Sequence, residues 1–227
     1  MKYPNFAEEK KLWKKGCKFV AGLDEAGRGP LAGPVVAAAV MVNPKFEVRN
    51  PKQIQKVSKF EIRNSKLKIR DSKQLSEKQR EFFYERLTKH PDIEWGMGIV
   101  SEKIIDKINI LEATKLAMER ALKNLEPDFL LIDGNFPIKS KIPQKSVIGG
   151  DAKIFSCCAA GIIAKVTRDR IMKKYHKKYP QYGFLQHKGY PTKAHFANLE
   201  KFGPCRIHRR SFYPVAAARG RRQLSTA

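Results

Sequence analysis

The chain has 227 residues, 42% hydrophobic and 10% aromatic, which is enough apolar matter for one sizeable core and excludes a disordered chain. Lys and Arg number 46 against 22 acids, a net charge of +24. Such an excess points to a polyphosphate partner, the bland alternative being a cationic surface kept for solubility.

In chain order, "MKYPNFAEEKKLWKKGCK" has no uninterrupted apolar region, so no signal peptide is expected. "KFVAGLD" and "PVVAAAVMV" read as two buried strands joined by Gly/Pro turn chemistry. The apolar run ending at Val42 is broken by Gly33-Pro34 and too short to span a bilayer. Residues 45–70 carry nine Lys/Arg against two Glu and fit either a strand pair or a basic surface insertion. "SEKQREFFYERLTKH" opens with a capping box, Ser76 and Gln79, and predicts a helix. "IEWGMGIV" reads as a strand, and "NILEATKLAMERALKNL" as a helix capped at Asn109 with Glu112. Two short strands follow, "PDFLLIDGN" ending on Asp133 and "KSVIGGD" ending on Asp151. "AKIFSCCAAGIIAKVTRDRIMKKYHKKY" predicts a long helix, apolar early and basic late. "TKAHFANLEKFG" predicts another, with Thr192 as N-cap and Gly203 as its stop. The tail "RGRRQLSTA" is expected to fray. A hairpin, a further strand and then alternating strands and helices predict an α/β domain, a mixed sheet flanked by helices.

The four cysteines, Cys17, Cys157, Cys158 and Cys205, form no CxxC pair and no Cys/His metal spacing. The vicinal pair lies in an apolar helical run, and the usage suits a reducing cytoplasm. The acids carry more information. Asp24, Asp133 and Asp151 each sit where an apolar strand runs out, the place where ligands gather in open α/β sheets. Clustered carboxylates repel unless a cation binds, and hard divalent ions take oxygen ligands. Each Asp also fits an ordinary turn, and neighbours on a regular strand face opposite ways, which counts against Asp24 and Glu25 sharing a site. A strand end or bulge at Ala26-Gly27 would relieve this. On spacing alone the metal site and the turns both stand.

"GLDEAGRGPLAGPVVAAAV" resembles the signature of ribonuclease HII, and the likeness continues in order through "RDSKQLS", "LLIDGN", "GGDAK", "AAGIIAKVTRDR", "YGFLQHKGYPTKAH" and "GPCRIHRRSF". The sister ribonuclease HIII lacks an Arg between the two glycines, so "GRG" favours HII. The resemblance implies a ribonuclease H-like fold with a C-terminal helical extension and a site for two Mg²⁺ or Mn²⁺ ions. It implies Asp24, Glu25, Asp133 and Asp151 as the catalytic, metal-holding acids. The implied substrates are RNA/DNA hybrids and duplex DNA containing single ribonucleotides, cut on the 5′ side to leave a 3′-hydroxyl and a 5′-phosphate. Gly27, Arg28, Gly29 and Tyr190 are implied to read the 2′-hydroxyl, with Ser72 and Lys73 beside the nucleic-acid backbone. Glycines let a backbone approach a sugar edge, and the 2′-hydroxyl is what distinguishes RNA from DNA. Lys165, Arg168 and Arg170 fit either phosphate contacts or a solvated helix face. Asp169 is expected to be a structural partner.

A catalytic domain is expected over 18–213 with a 180–213 helical extension, then a flexible basic tail over 214–227; the basic 45–70 stretch looks longer than the family's loop and is read as an added duplex-binding patch, not as part of the resemblance. A cytoplasmic monomer is the family expectation. One departure is clear: "SCCAAG" places Gly161 where the family has a second Ser. Two other classes compete with this reading. A non-catalytic basic binder leaves the four acids unexplained, and another ribonuclease H-like nuclease, such as a resolvase, leaves the "GRG" and "HKGY" pair unexplained.

Overall fold

The computed structural model describes residues 3–43 and 69–218. Most of the expected basic insertion at 45–70 therefore lies outside the described residues. Runs of Val, Ala, Leu and Ile make the strands: β1 (Val20–Ala26), β2 (Val35–Val42), β3 (Ile93–Val100), β4 (Phe129–Asp133) and β5 (Gln144–Val147). They form one five-stranded sheet in the order β3-β2-β1-β4-β5. β2 pairs antiparallel with both β1 and β3, while β4 runs parallel to β1 and β5 parallel to β4. Central β2 is buried along its whole length, as a continuous apolar run requires when helices cover both faces.

The helices are α1 (Ala7–Lys14), α2 (Glu77–Thr88), α3 (Glu102–Ala121), α4 (Phe155–Lys178), α5 (Phe184–His187) and α6 (Lys193–Phe202). Alternation along β2 divides the core. Val36, Ala38 and Val40 pack with Phe155, Cys158, Ile162 and Phe83 of α4 and α2. Val35, Ala37 and Ala39 pack with Ile105, Ala113 and Met118 of α3. The predicted mixed α/β sheet flanked by helices is the observed one.

The end signals hold where they were strong. Ser76 Oγ accepts from Gln79 N and Gln79 Oε1 accepts from Ser76 N, closing the capping box of α2. Thr192 caps α6 through His195 N, and Gly203 ends it at φ 70°. Asn109 does cap a helix, since its Oδ1 accepts from Leu111 N and Glu112 N. It caps the second half of a longer element, however, because α3 begins at Glu102 and breaks at Asn109 (φ 65°, ψ 170°). Two further expectations are corrected. β5 ends at Val147, so Asp151 does not end a strand but sits in the 3₁₀ turn Gly150–Ala152 that leads into α4. Residues 214–218 are helical rather than a free tail, because buried Val215 packs with Leu31 and Leu199.

Candidate active site

β1 and β4 are parallel and in register to Leu23↔Ile132, so Asp24 and Asp133, each the next residue, leave the sheet side by side. Asp24 pairs across β2 with Ala38 and therefore faces α4, as does Leu131, two residues before Asp133. The 3₁₀ turn at the entry to α4 brings in Asp151. Among the described residues, ligand oxygens of Asp24, Asp133 and Asp151 all lie within 4.8 Å of one another. Asp133 Oδ1 accepts from Gly150 N at 2.8 Å, which ties the β4 terminus to the turn that carries Asp151.

Glu25 stands apart from that group. The β1–β2 register runs unbroken through Ala26↔Val36, so no bulge rotates it, and it pairs with Ala37 on the α3 face. Its Oε1 lies 3.4 Å from Arg28 Nη1, while its buried Oε2 has no hydrogen-bond partner. Electrostatics link it to the others. Burial, then Glu25, Asp133 and Asp151, push the Asp24 carboxyl well above the usual range. Burial also pushes Glu25 up to about 7 against the pull of Arg28. Asp151 is raised by burial and by Asp133, with exposed Lys73 Nζ only 3.6 Å from its Oδ2. These acids are short of positive charge. The oxygen-only donor set of the three clustered aspartates fits a hard divalent cation.

Gly161, the departure from the family pattern, lies in α4 directly over Asp24. A Cβ there would overlap Asp24 Oδ2, so the missing side chain opens the space that this carboxylate occupies.

Beyond Ala26 the chain turns through Gly27-Arg28-Gly29. Gly27 takes φ 101°, and a Cβ on it would overlap the Arg168 side chain, so both backbone and space demand glycine. The open side of Gly29 faces Tyr190, 3.9 Å from a Cβ position on Gly29 to Tyr190 Cε1. The two motifs that the sequence placed far apart therefore meet. Tyr190 is 38% exposed, with Lys165 Nζ 5.6 Å from its ring centroid. Lys165 is paired with Asp169 at 2.8 Å, and Arg80 lies 3.8 Å from the same acid, so Asp169 acts as a partner outside the acid group. Arg170 is bound to Glu81 and stacks over Tyr84. Ser72 is buried and its carbonyl accepts from Arg80.

Arg168 is corrected. It is fully buried, and its three nitrogens donate to the carbonyls of Pro34, Lys188 and Ala32, so it is not available to a phosphate. Arg209, unmarked in the sequence beyond its place in "RIHRRSF", is likewise fully buried behind the Gly-Arg-Gly turn. Its donors reach the carbonyls of Gly33, Arg28 and Gly27.

The family model for ribonuclease HII matches residues 21–215. The chain belongs to the ribonuclease HII family. As a ribonuclease HII it is a metal-dependent endonuclease, a phosphodiester hydrolase with ribonuclease H activity on RNA/DNA. A ribonuclease HII of Chlamydia trachomatis is 48% identical over 215 residues, covering 92% of this chain and 90% of that protein. One from Listeria monocytogenes is 48% identical over 213 residues, 93% of this chain and 74% of that protein. The crystal structure of ribonuclease H2 from Pyrococcus horikoshii superposes with a TM-score of 0.69 at 28% identity, over 90% of this chain and 99% of that one. The enzyme thus has the ribonuclease H-like fold. None of its helices among the described residues is long and apolar enough to cross a membrane.

Proposed function

We propose that this ribonuclease HII hydrolyses the RNA strand of RNA/DNA hybrids and cuts 5′ of single ribonucleotides in duplex DNA, leaving 3′-hydroxyl and 5′-phosphate ends. Its role would be to remove ribonucleotides from DNA. The observation that carries this reading is the meeting of Gly29 with Tyr190 at the end of the strand that bears Asp24. A donor surface suited to a sugar edge thereby stands next to a cluster of acids.

In this proposal Asp24, Glu25, Asp133 and Asp151 hold two Mg²⁺ or Mn²⁺ ions, with Glu25 contributing from the opposite face of β1 through its free Oε2. Such a pair, when bound, supplies an activated water and stabilises the leaving oxygen. The protein groups do the rest. The backbone of Gly27, Arg28 and Gly29 and the Tyr190 hydroxyl read the 2′-hydroxyl, the group that marks RNA. Lys73, exposed beside Asp151, meets the phosphate backbone together with the Ser72 segment and Lys165. Arg28 stays on Glu25 and on the Phe136 ring, so it orients the turn until substrate draws its fork to a phosphate.

We further propose that the catalytic domain expected over 18–213, with α1 and residues 214–218 packed onto it, acts as a cytoplasmic monomer, with the basic 45–70 segment adding duplex contacts. Deleting residues 47–66 is then expected to flatten the salt dependence of duplex binding, because fewer counterions are released. An unchanged slope removes that part. The function itself is tested with a DNA duplex carrying one ribonucleotide, beside its all-DNA twin, in Mg²⁺ or Mn²⁺. Cutting of the first alone, 5′ of the ribonucleotide, is expected. Equal cutting of both sinks the specificity reading.

A further inference from the structure

We infer that Arg209, together with Arg168, is a positioning residue for ribonucleotide inspection, locking the Gly27–Pro34 turn and the Lys188–Tyr190 turn into one preset surface. The inference rests on the proposed reading of the 2′-hydroxyl by these two turns.

The two guanidiniums make six hydrogen bonds of 2.6–3.0 Å, all to backbone carbonyls. Five of those carbonyls, from Gly27, Arg28, Ala32, Gly33 and Pro34, belong to the first turn, and the sixth, from Lys188, belongs to the second. Only a planar fork offers several donors in fixed directions from one side chain, so a lysine reproduces the charge without the geometry. The consequence lies on the other side of each peptide plane. In a trans peptide, the carbonyl of one residue and the N–H of the next point in opposite directions. Arg209 draws the carbonyls of Gly27 and Arg28 inward, so the N–H groups of Arg28 and Gly29 face away from the core. Among the described residues neither N–H has a hydrogen-bond acceptor. Two aligned free donors are thus presented where Gly29 borders Tyr190.

The second turn is held to the first in the same manner. Leu31 N donates to Gly189 O at 2.8 Å, Arg209 N to Leu31 O at 2.8 Å, and His195 Nδ1 lies 2.9 Å from Tyr190 O. The Arg168 guanidinium also lies 5.7 Å from the Tyr190 ring centroid, so the ring and the donor pair share one support. Neither arginine approaches the three clustered aspartates closely enough to pair with them. The clamp therefore acts on the turns proposed to recognise the sugar, not by pairing with the clustered aspartates.

The test compares wild type, Arg209→Lys and Arg209→Met, with Arg168→Lys as a second probe of the same clamp and Ile93→Val, opposite Val42 at the other end of β2, as a core variant away from it. Each is measured for Mn²⁺ affinity, for binding to an all-DNA duplex, and for kcat on a duplex with one ribonucleotide. Arg209→Lys is expected to lower kcat at least tenfold, with Mn²⁺ affinity and all-DNA binding within twofold of wild type. Arg209→Met is expected to lose more, and Ile93→Val to keep its kcat. A kcat for Arg209→Lys and Arg168→Lys within twofold of an active wild type overturns the clamp while leaving the proposed function standing. Parallel loss of Mn²⁺ affinity overturns it too, because the damage is then general. A wild type that fails to cut the single-ribonucleotide duplex removes the proposed function, and the inference with it.

Discussion

At the end of β1 two sets of buried charge lie back to back and are balanced in opposite ways. On the α4 face, Asp24, Asp133 and Asp151 crowd within 4.8 Å, and the Asp24 and Asp151 carboxyls are driven upward by burial and mutual repulsion. Behind the Gly-Arg-Gly turn, Arg168 and Arg209 are equally buried, yet every guanidinium nitrogen has a backbone carbonyl. Burial, with the Arg168 charge beside it, still lowers Arg209 to about 9, but each nitrogen of both guanidiniums has an acceptor within the protein. Buried charge thus has two meanings here. Where the protein supplies the partners, the charge is scaffold. Where it does not, in the proposed reading, the charge would be met by a bound cation.

The contrast is sharpest under substitution. Asp133→Asn is expected to lower kcat by at least about 10³-fold, since it removes the charge of one of the three clustered carboxylates that would hold the metal, while folding and duplex binding persist. Single-turnover cleavage together with a binding titration checks this, and an active Asp133→Asn removes Asp133 from the catalytic set. Arg168→Met has the complementary effect. It leaves three buried carbonyls without donors, at about 1–3 kcal/mol each before relaxation, so stability should fall by roughly 3–5 kcal/mol. Added Mn²⁺ should stabilise this variant by as much as it stabilises wild type. Denaturant melts with and without metal decide the point, and a loss below about 1 kcal/mol makes the clamp dispensable to the fold.

The pH response should also separate an acid that lacks partners from one that has them. Glu25 titrates near 7 in the fold against 4.5 unfolded, so its contribution to stability is present below about 4.5 and lost as pH rises through about 7. Half-buried Glu8 works in the opposite sense and in a lower window. Its pKa is held at about 2 by Lys11 and Lys145, so its contribution is present above about 4.5 and lost toward 2. Metal-free wild type should therefore weaken relative to Glu25→Gln between pH 5 and 7.5, measured by parallel melts. A constant gap contradicts the raised Glu25. The smallest effect is expected at Gly161. Alanine there gains about 1 kcal/mol of helix propensity. Its Cβ, however, overlaps Asp24 Oδ2 and forces that carboxylate to shift. The metal-free form should therefore be no more stable than wild type, which parallel melts resolve.

The fold was legible wherever one local signal decided it. The β2 run, the Ser76–Gln79 box and the Thr192 cap each carry their own physics in a few residues. The acids were legible as a group, but their sharing was not. Sequence spacing raised the objection that Asp24 and Glu25 face opposite ways, and the unbroken β1–β2 register upholds it. Asp151 was placed one element early because "SVIGG" carries no mark of where pairing stops and the 3₁₀ turn begins. Helix α1 went unread because its apolar face is small. What anchors it is Glu9, buried and accepting from Ser156 N and Oγ at the start of α4, a contact across 147 residues. Arg168 and Arg209 were hidden for a related reason. An arginine bonded to distant carbonyls has the same local sequence as one in solvent, and in a chain of charge +24 the solvent reading comes first.

The contrast between the two sets of charge is tested most directly by thermal melting of the wild-type chain across a Mn²⁺ titration at pH 8. If the acids await a cation, metal at about 100 times its dissociation constant stabilises the fold by about 2.7 kcal/mol. For a domain of this size that corresponds to a rise of roughly 5–10 °C in Tm. Asp133→Asn should show little of the rise and Arg209→Lys nearly all of it. A wild-type Tm indifferent to Mn²⁺ contradicts the account, because the buried carboxylates would then be balanced without any ion.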